Sequence, residues 1–434
     1  MPWRTEHKLP TSAPETAPPA RPPFPPVSDA LPPLVLGTAT FNTQYVSHIS
    51  ALPYTSIVAR ALQLGIRAFD TSPYYGPSEQ LLGYALYVAL ASLVPPSGAA
   101  AATSALPAQP ALTREDLFLV TKVGRVASST FDYSPAAVRA SVRRSLARLG
   151  TSYVDLVYAH DVEFQSPEQV LAAVTTLREL RDNHGIVRYV GISGFPLPTL
   201  CSLAEYVLAK TGEPLDAVLS YGHCTVQNAT LTSDAVLARL RTDARVGTVL
   251  NASMLNMGLL TTRGVDAGPQ AAWHPSPAGL RDACARAAKV CAAESGEHFE
   301  GVAIRWSLDE WARRAGEVGL GTRVPWSQGQ GKTGGAPQSV GSSVIGVTTV
   351  PELEETVREW QGVVDGLGGE DAGEGDQEKP VASLARREQV RKLVADKLWP
   401  ALGDEWRDYS WTSPPAGWVN VELHPDGPVA AERK

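Results

Sequence analysis

Four residues stand where they could move a proton together: Asp70, Tyr75, Lys122 and His160. Three of them close short apolar runs that read as strands. These are Ile66-Arg67-Ala68-Phe69 before Asp70, residues 117–121 before Lys122 and residues 153–159 before His160. Tyr75 follows on the connecting loop, in Asp70-Thr71-Ser72-Pro73-Tyr74-Tyr75-Gly76. A free phenol, with a pKa of about 10, is a poor base at neutral pH. A neighbouring ammonium favours the phenolate, and a carboxylate keeps that ammonium charged and oriented. The set predicts Tyr75 as general acid/base, Lys122 as the cation that lowers its pKa and Asp70 as the orienting carboxylate. His160 then serves as a hydrogen-bonding partner for a substrate oxygen. Taken singly, each has a plainer reading: a loop tyrosine in water, a turn aspartate before Thr-Ser-Pro, a lysine snorkelling from an apolar strand, a structural histidine. Their joint arrangement carries the chemical reading. Asp161 and Glu163 follow closely, but no second histidine stands at ligand spacing and no metal site is predicted.

Ionisable residues ending several strands at one rim describe a parallel barrel. Candidate strands begin near Leu34, Ile66, Leu117, Val154, Arg188, Ala217, Val246 and Ser343, with helical patterns between them. The stretch 134–149 shows one such pattern. Ser134 can cap it and Pro135 suits the first turn. Val138, Val142, Leu146 and Leu149 then share a face. A doubly wound sheet would want a glycine-rich phosphate turn after its first strand. The residues after Leu36 are Gly37-Thr38-Ala39-Thr40-Phe41, which do not form one. The expected fold is α/β, a (β/α)8 barrel over residues 33–365. Residues 1–32, rich in Pro, Ala, Ser and Thr, are expected to be a disordered leader. Low-complexity insertions are expected at about 93–112 and 321–341. An acidic, glycine-rich loop and a C-terminal extension occupy 366–434.

Composition narrows the partners. The chain has 434 residues, 44% hydrophobic and 19% charged, with a formal charge of -7. That balance argues against nucleic acid as a partner. No apolar run approaches the roughly 20 residues of a membrane helix, so no membrane partner is expected. The four cysteines, Cys201, Cys224, Cys284 and Cys291, are scattered without CxxC spacing. A reduced, cytoplasmic protein is the expectation.

The motifs also carry a resemblance. Gly37-Thr38, the run 70–76 with Ser78-Glu79 and Leu82-Gly83, and Thr121-Lys122-Val123-Gly124 match the aldo-keto reductases. So do the runs 143–150, 153–160 and 190–195. His160-Asp161-Val162-Glu163-Phe164, Leu219-Ser220-Tyr221-Gly222-His223 and Trp411-Thr412-Ser413-Pro414-Pro415 resemble the D-arabinose and L-galactose dehydrogenase branch of that family. The resemblance implies a (β/α)8 barrel that uses NAD or NADP without a Rossmann domain, on a small-molecule sugar or aldehyde, as a monomer or weak dimer. It implies cofactor contacts at Gly37, Thr38, Ser193, Ser220, Tyr221, Ser253, Leu255, Gly258 and Leu260. For the leucines, plain core packing is an equal reading. Where the family usually has Asn after Ser193, this chain has Gly194.

Members that hold a 2′-phosphate place basic residues after the eighth strand, where bonds to phosphate are strong. Here Glu352 stands at the expected arginine and Glu355 follows, with no basic residue before Arg358. NAD is the expected cofactor, with NADP as the alternative. The bland reading is acids decorating a helix N-terminus. The implied reaction oxidises C1 of an aldose such as D-arabinose or L-galactose to the lactone. The alternatives are a general NADPH-dependent aldehyde or pyridoxal reductase, or a non-catalytic, cofactor-binding regulatory barrel.

Overall fold

A computed structural model describes residues 24–92, 112–325, 339–367 and 378–421. Its strands are β1 (Leu34–Gly37), β2 (Ala68–Asp70), β3 (Phe118–Val123), β4 (Arg125–Ala127), β5 (Thr130–Phe131), β6 (Val154–His160), β7 (Val187–Gly194), β8 (Ala217–Tyr221), β9 (Thr248–Ala252) and β10 (Ser342–Gly346). All but β4 and β5 join a closed parallel barrel in the order β1-β10-β9-β8-β7-β6-β3-β2. The eight barrel strands are those expected from the sequence, each starting within two residues of the anticipated place. Register then sets the rim. Gly37 pairs with both Asp70 and Gly346, Lys122 lies opposite Tyr158, and His160 lies opposite Ser193.

The helices are α1 (Tyr54–Gln63), α2 (Ser78–Ser92), α3 (Pro135–Leu149), α4 (Pro167–Glu179), α5 (Leu197–Thr211), α6 (Asp234–Ala238), α7 (Ala278–Ser295), α8 (Phe299–Glu317), α9 (Val350–Leu367), α10 (Glu378–Leu393) and α11 (Trp399–Leu402). Local chemistry sets their ends. On α3 the Ser134 hydroxyl accepts from the Ala137 N–H, Pro135 occupies the first turn, and Gly150 ends the helix at φ 69°. Its buried face includes Val138, Val142, Leu146 and Leu149, as the spacing requires. On α4, Ser166 and Gln169 form a reciprocal capping box.

Part of the stretch expected to be a disordered leader has a defined place in the fold. Residues 24–32 are ordered, and they close the base of the barrel. Val27 and Leu31 are buried against Val35, Phe118, Leu156 and Tyr189. The Tyr189 hydroxyl donates to the Pro25 carbonyl at 2.8 Å, and the Thr322 hydroxyl donates to that of Leu31. An open barrel base exposes apolar side chains, and this short segment supplies the apolar cover that its composition concealed. Thr322 and Val340 exchange backbone hydrogen bonds, tying together the two described ends of the expected 321–341 insertion. The rest of the leader, most of the 93–112 insertion, residues 326–338 and 368–377, and the last thirteen positions lie outside the described residues.

The C-terminal extension packs α10 on α8 and α9, with Arg387 paired to Asp309 at 2.8 Å. The chain then crosses the barrel mouth. Gln227 donates to the carbonyls of Trp406 and Tyr409 at 2.7 and 3.0 Å. Asn420 grips the backbone of Phe131 on β5 through two hydrogen bonds, at 2.8 and 3.0 Å.

Candidate active site

A cavity of about 530 Å³ opens at the rim formed by the C-terminal ends of the strands, and Asp70, Tyr75, Lys122 and His160 all line it. Each reaches it from its own strand end or, for Tyr75, from the loop before α2. Glu79, on the first turn of α2, is fully buried and braces β3 from behind. It accepts from the Thr121 hydroxyl at 2.8 Å and from Arg148 at 3.0 Å. The Ser78 hydroxyl donates to Thr38, whose own N–H and hydroxyl bond the Asp70 carbonyl. Thr38 therefore holds the loop in place.

At the centre, Lys122 Nζ lies 2.5 Å from Asp70 Oδ1 and 3.0 Å from the Thr71 carbonyl. The lysine side chain is only 2% exposed, so this pair is shielded from solvent. Burial pushes the Asp70 carboxyl up, with Lys122 opposing. Lys122 Nζ also sits 4.9 Å from the centre of the Tyr75 ring. Tyr75 and His160 meet edge to face at 5.6 Å. The Ser72 hydroxyl accepts from the Tyr74 N–H and lies 3.1 Å from His160 Nδ1. That hydroxyl has a proton to give as well as lone pairs, and when it gives the proton to Nδ1 the proton of a neutral imidazole stands on Nε2. Burial lowers the His160 pKa to about 3, against the pull of Asp161, so the ring is neutral at physiological pH.

One sequence expectation is overturned. The spacing predicts that Lys122 draws the Tyr75 pKa down. Instead burial, reinforced by Asp70 and Asp161, pushes the phenol well above its usual value, with Arg125 opposing. The phenol therefore keeps its proton at neutral pH. The lysine is already engaged by Asp70, and desolvation acts against the phenolate.

The expected cofactor residues divide. Gly37, Ser193, Tyr221, Ser253, Leu255 and Gly258 line the cavity. Thr38, Ser220 and Leu260 are fully buried away from it: Thr38 and Ser220 are bonded to Asp70 and His223, and Leu260 lies in the core. Glu352 and Glu355 are also absent from the cavity wall. The Glu352 carboxylate accepts from the N–H and hydroxyl of Thr348, which is a helix-capping role. Gly194 has a physical reason. A Cβ there would lie 2.4 Å from Glu163 Oε2, so the Glu163 carboxyl occupies the space another side chain would need. Burial and Asp161 push Glu163 up to about 8, while its bonds from Ser413 and the Phe195 N–H oppose that shift.

The residues present fit a dinucleotide. The cavity continues past Ser193 and Tyr221 to Gly346 and Thr356. Ser253, Asn256, Met257 and Gly258 have φ of 57°, 49°, 57° and 100°. The step from Leu255, at φ -94°, to left-handed Asn256 is the kind of backbone change that makes concavities for anions. Gln270 Oε1, on a cavity-lining residue, is buried without a partner.

Several site residues escaped sequence reasoning. Gly124, at φ 97° and packed so closely on Tyr133 that a Cβ would lie 2.0 Å from its ring, turns the chain after β3. Arg125 thereby comes back over the cavity, paired with Asp161. Trp273, Trp411 and Trp418 form aromatic walls. Trp411 stacks on Phe195 at 4.6 Å, and Trp418 meets Phe164 edge-on at 4.8 Å. Strand periodicity is silent about such loops.

Comparison with known proteins adds the following. The profile of the aldo/keto reductase family matches residues 33–365. The chain is 39% identical over 291 residues to D-arabinose 1-dehydrogenase of Saccharomyces cerevisiae, covering 67% of this chain and 78% of the yeast protein. It is 32% identical over 346 residues to L-galactose dehydrogenase of Arabidopsis thaliana, covering 79% and 86%. It is 26% identical over 262 residues to a Pseudomonas D-threo-aldose 1-dehydrogenase, covering 54% and 70%.

Proposed function

Because the chain belongs to the aldo/keto reductase family of nicotinamide-dependent oxidoreductases, we propose that it oxidises C1 of an aldopyranose to the lactone, with NAD as coenzyme. The observation that carries this reading is the convergence of Asp70, Tyr75, Lys122 and His160 on one cavity mouth. The names of the two relatives support the substrate class. L-Galactopyranose is D-arabinopyranose with a hydroxymethyl group added at C5, so the two sugars share configuration at C2, C3 and C4.

The bound nicotinamide supplies the acceptor for the hydride that leaves C1. The chain's own residues handle the proton and the position. Tyr75 takes the proton of the anomeric hydroxyl, which requires its phenolate. Lys122, beside the ring, stabilises that phenolate once it forms. Asp70 pins the ammonium from below. Neutral His160 donates from Nε2 to the same substrate oxygen and fixes it against the phenol. Trp273 and Trp411 shield the reacting atoms from water.

The coenzyme preference rests on charge. The first turns of α9 carry Glu352, Glu354 and Glu355 and no basic residue before Arg358, a poor seat for a 2′-phosphate. One observation favours a second reading, aldehyde reduction. A phenol that keeps its proton is poised to donate it to a carbonyl oxygen. A panel of free sugars and aldehydes with NAD and NADP, run in both directions, separates the two. Faster turnover of D-arabinose with NAD than of any aldehyde supports the first reading. Turnover confined to aldehydes with NADPH rejects it.

A further inference from the structure

The proton-transfer set leaves one charged pair on the cavity wall without a task. We propose that Asp161 and Arg125 read the C2 and C3 hydroxyls of the aldose and so decide which sugars the site accepts; this rests on the aldose 1-dehydrogenase reading above.

Asp161 follows His160 directly and adopts a left-handed backbone, φ 55° and ψ 61°. Single left-handed residues with a Cβ are uncommon, aspartate being among those that adopt the conformation, and they concentrate at functional sites. Its effect is to bring the next side chain after His160 to the cavity as well. Asp161 is 2% exposed, and its Oδ2 lies 3.6 Å from His160 Nε2. Arg125 reaches over from the β4 edge to pair with that carboxylate. The guanidinium stacks 3.8 Å from the centre of the Tyr74 ring and donates to the Tyr74 hydroxyl at 3.1 Å. Both residues line the same cavity as Tyr75 and His160.

A charged pair at a substrate wall selects against apolar substrates, which would desolvate it and give nothing back. It also selects against anions, since the carboxylate already balances the guanidinium. A neutral polyol satisfies both partners, because each hydroxyl donates and accepts. Position fixes which hydroxyls are read. The C1 oxygen must face His160 Nε2, and the next oxygen on the ring is that of C2. An acceptor beside Nε2 therefore meets the C2 hydroxyl first, and Arg125, one step further out, meets C3.

Three pentoses that differ only at C2 test this: D-arabinose, its C2 epimer D-ribose, and 2-deoxy-D-ribose, which is equally the 2-deoxy form of D-arabinose. For the unaltered protein, kcat/KM with NAD should favour D-arabinose over the deoxy sugar by roughly 10- to 100-fold, the worth of a hydrogen bond to a charged group. Asp161→Asn should shrink that ratio at least fivefold, chiefly through KM, and Arg125→Lys should do the same for D-arabinose over its C3 epimer, D-lyxose. Because Asp161 helps hold the Tyr75 phenol up and Arg125 opposes it, each variant also moves the pH profile, but alike for every sugar, so the ratio is the readout. A structural role would lower all three sugars together and leave the ratio intact. Calorimetric binding of each pentose to the NAD-saturated Tyr75→Phe protein reads the same preference without turnover. It also decides the matter if either pair variant fails to fold. Equal use and equal binding of D-arabinose and the deoxy sugar overturn the proposal while sparing the dehydrogenase reading. No turnover and no binding of any aldose overturn both.

Discussion

Replacing Tyr75 by Phe removes one oxygen and leaves the ring where it packs. Among the described residues the Tyr75 hydroxyl takes no hydrogen bond from the protein, and the edge-to-face contact with His160 at 5.6 Å is kept by phenylalanine. Folding stability should therefore change by no more than about 0.5 kcal/mol. Activity should not be spared. A positioned acid or base contributes roughly 10²- to 10⁴-fold, equivalent to about 3–5 kcal/mol of transition-state stabilisation. The pH profile sharpens the test. Because burial, Asp70 and Asp161 hold the phenol above its usual value, the phenolate is scarce at neutral pH and grows as pH rises. For the unaltered protein, kcat for aldose oxidation should climb through the neutral and alkaline range. Where the phenolate is limiting it should approach tenfold per pH unit. Reduction of an aldehyde, which uses the protonated phenol, should stay level over that span. The assay follows NADH formation from D-arabinose between pH 6 and 10 for both proteins, with thermal unfolding alongside. The reasoning fails if Tyr75→Phe retains kcat within threefold, or if both proteins show the same pH slope.

Three further outcomes are expected. Lys122→Met leaves the buried Asp70 carboxylate without its ammonium and should cost about 3–5 kcal/mol of stability in denaturant unfolding. Adding Asp70→Asn should recover part of that stability and none of the activity. Glu163 titrates near 8 in the folded protein, well above the ordinary value of 4.5, so the native state holds the extra proton between those limits. Stability should then fall as pH rises from about 4.5 to 8. Glu163→Gln should flatten that decline in a series of melting temperatures. For the coenzyme, kcat/KM should favour NAD over NADP by at least about tenfold, and Glu352→Arg should narrow the gap; a clear NADP preference in the unaltered protein would defeat the charge argument.

The barrel was legible because its signal is local. Each strand is a short apolar run, three of them carry an ionisable residue at or next to the end, and parallel pairing then puts Asp70, Lys122 and His160 at one rim regardless of detail. Ser134, Pro135 and Gly150 likewise announce α3 through cap chemistry. What escaped depends on contacts distant in sequence. Val27 and Leu31 sit in a proline-rich stretch whose composition reads as disorder, and only the barrel's open base gives them something to bury against. The sign of the Tyr75 shift is not legible in the sequence, because spacing shows which charges are near but not how completely water is excluded. Arg125 and Asp161 find each other across separate loops, through a turn at Gly124 and a left-handed residue, neither of which leaves a periodic trace.

The grip of Asn420 on Phe131 has a bearing on how this pocket comes into being. Residues 411–421 lie beyond the last barrel strand, so Trp411 and Trp418 are walls laid over a barrel that holds the reactive set without them. A change at the far end of the chain, such as a fusion or a clipped tail, should therefore be felt first in sugar selection, while the barrel beneath it stays intact.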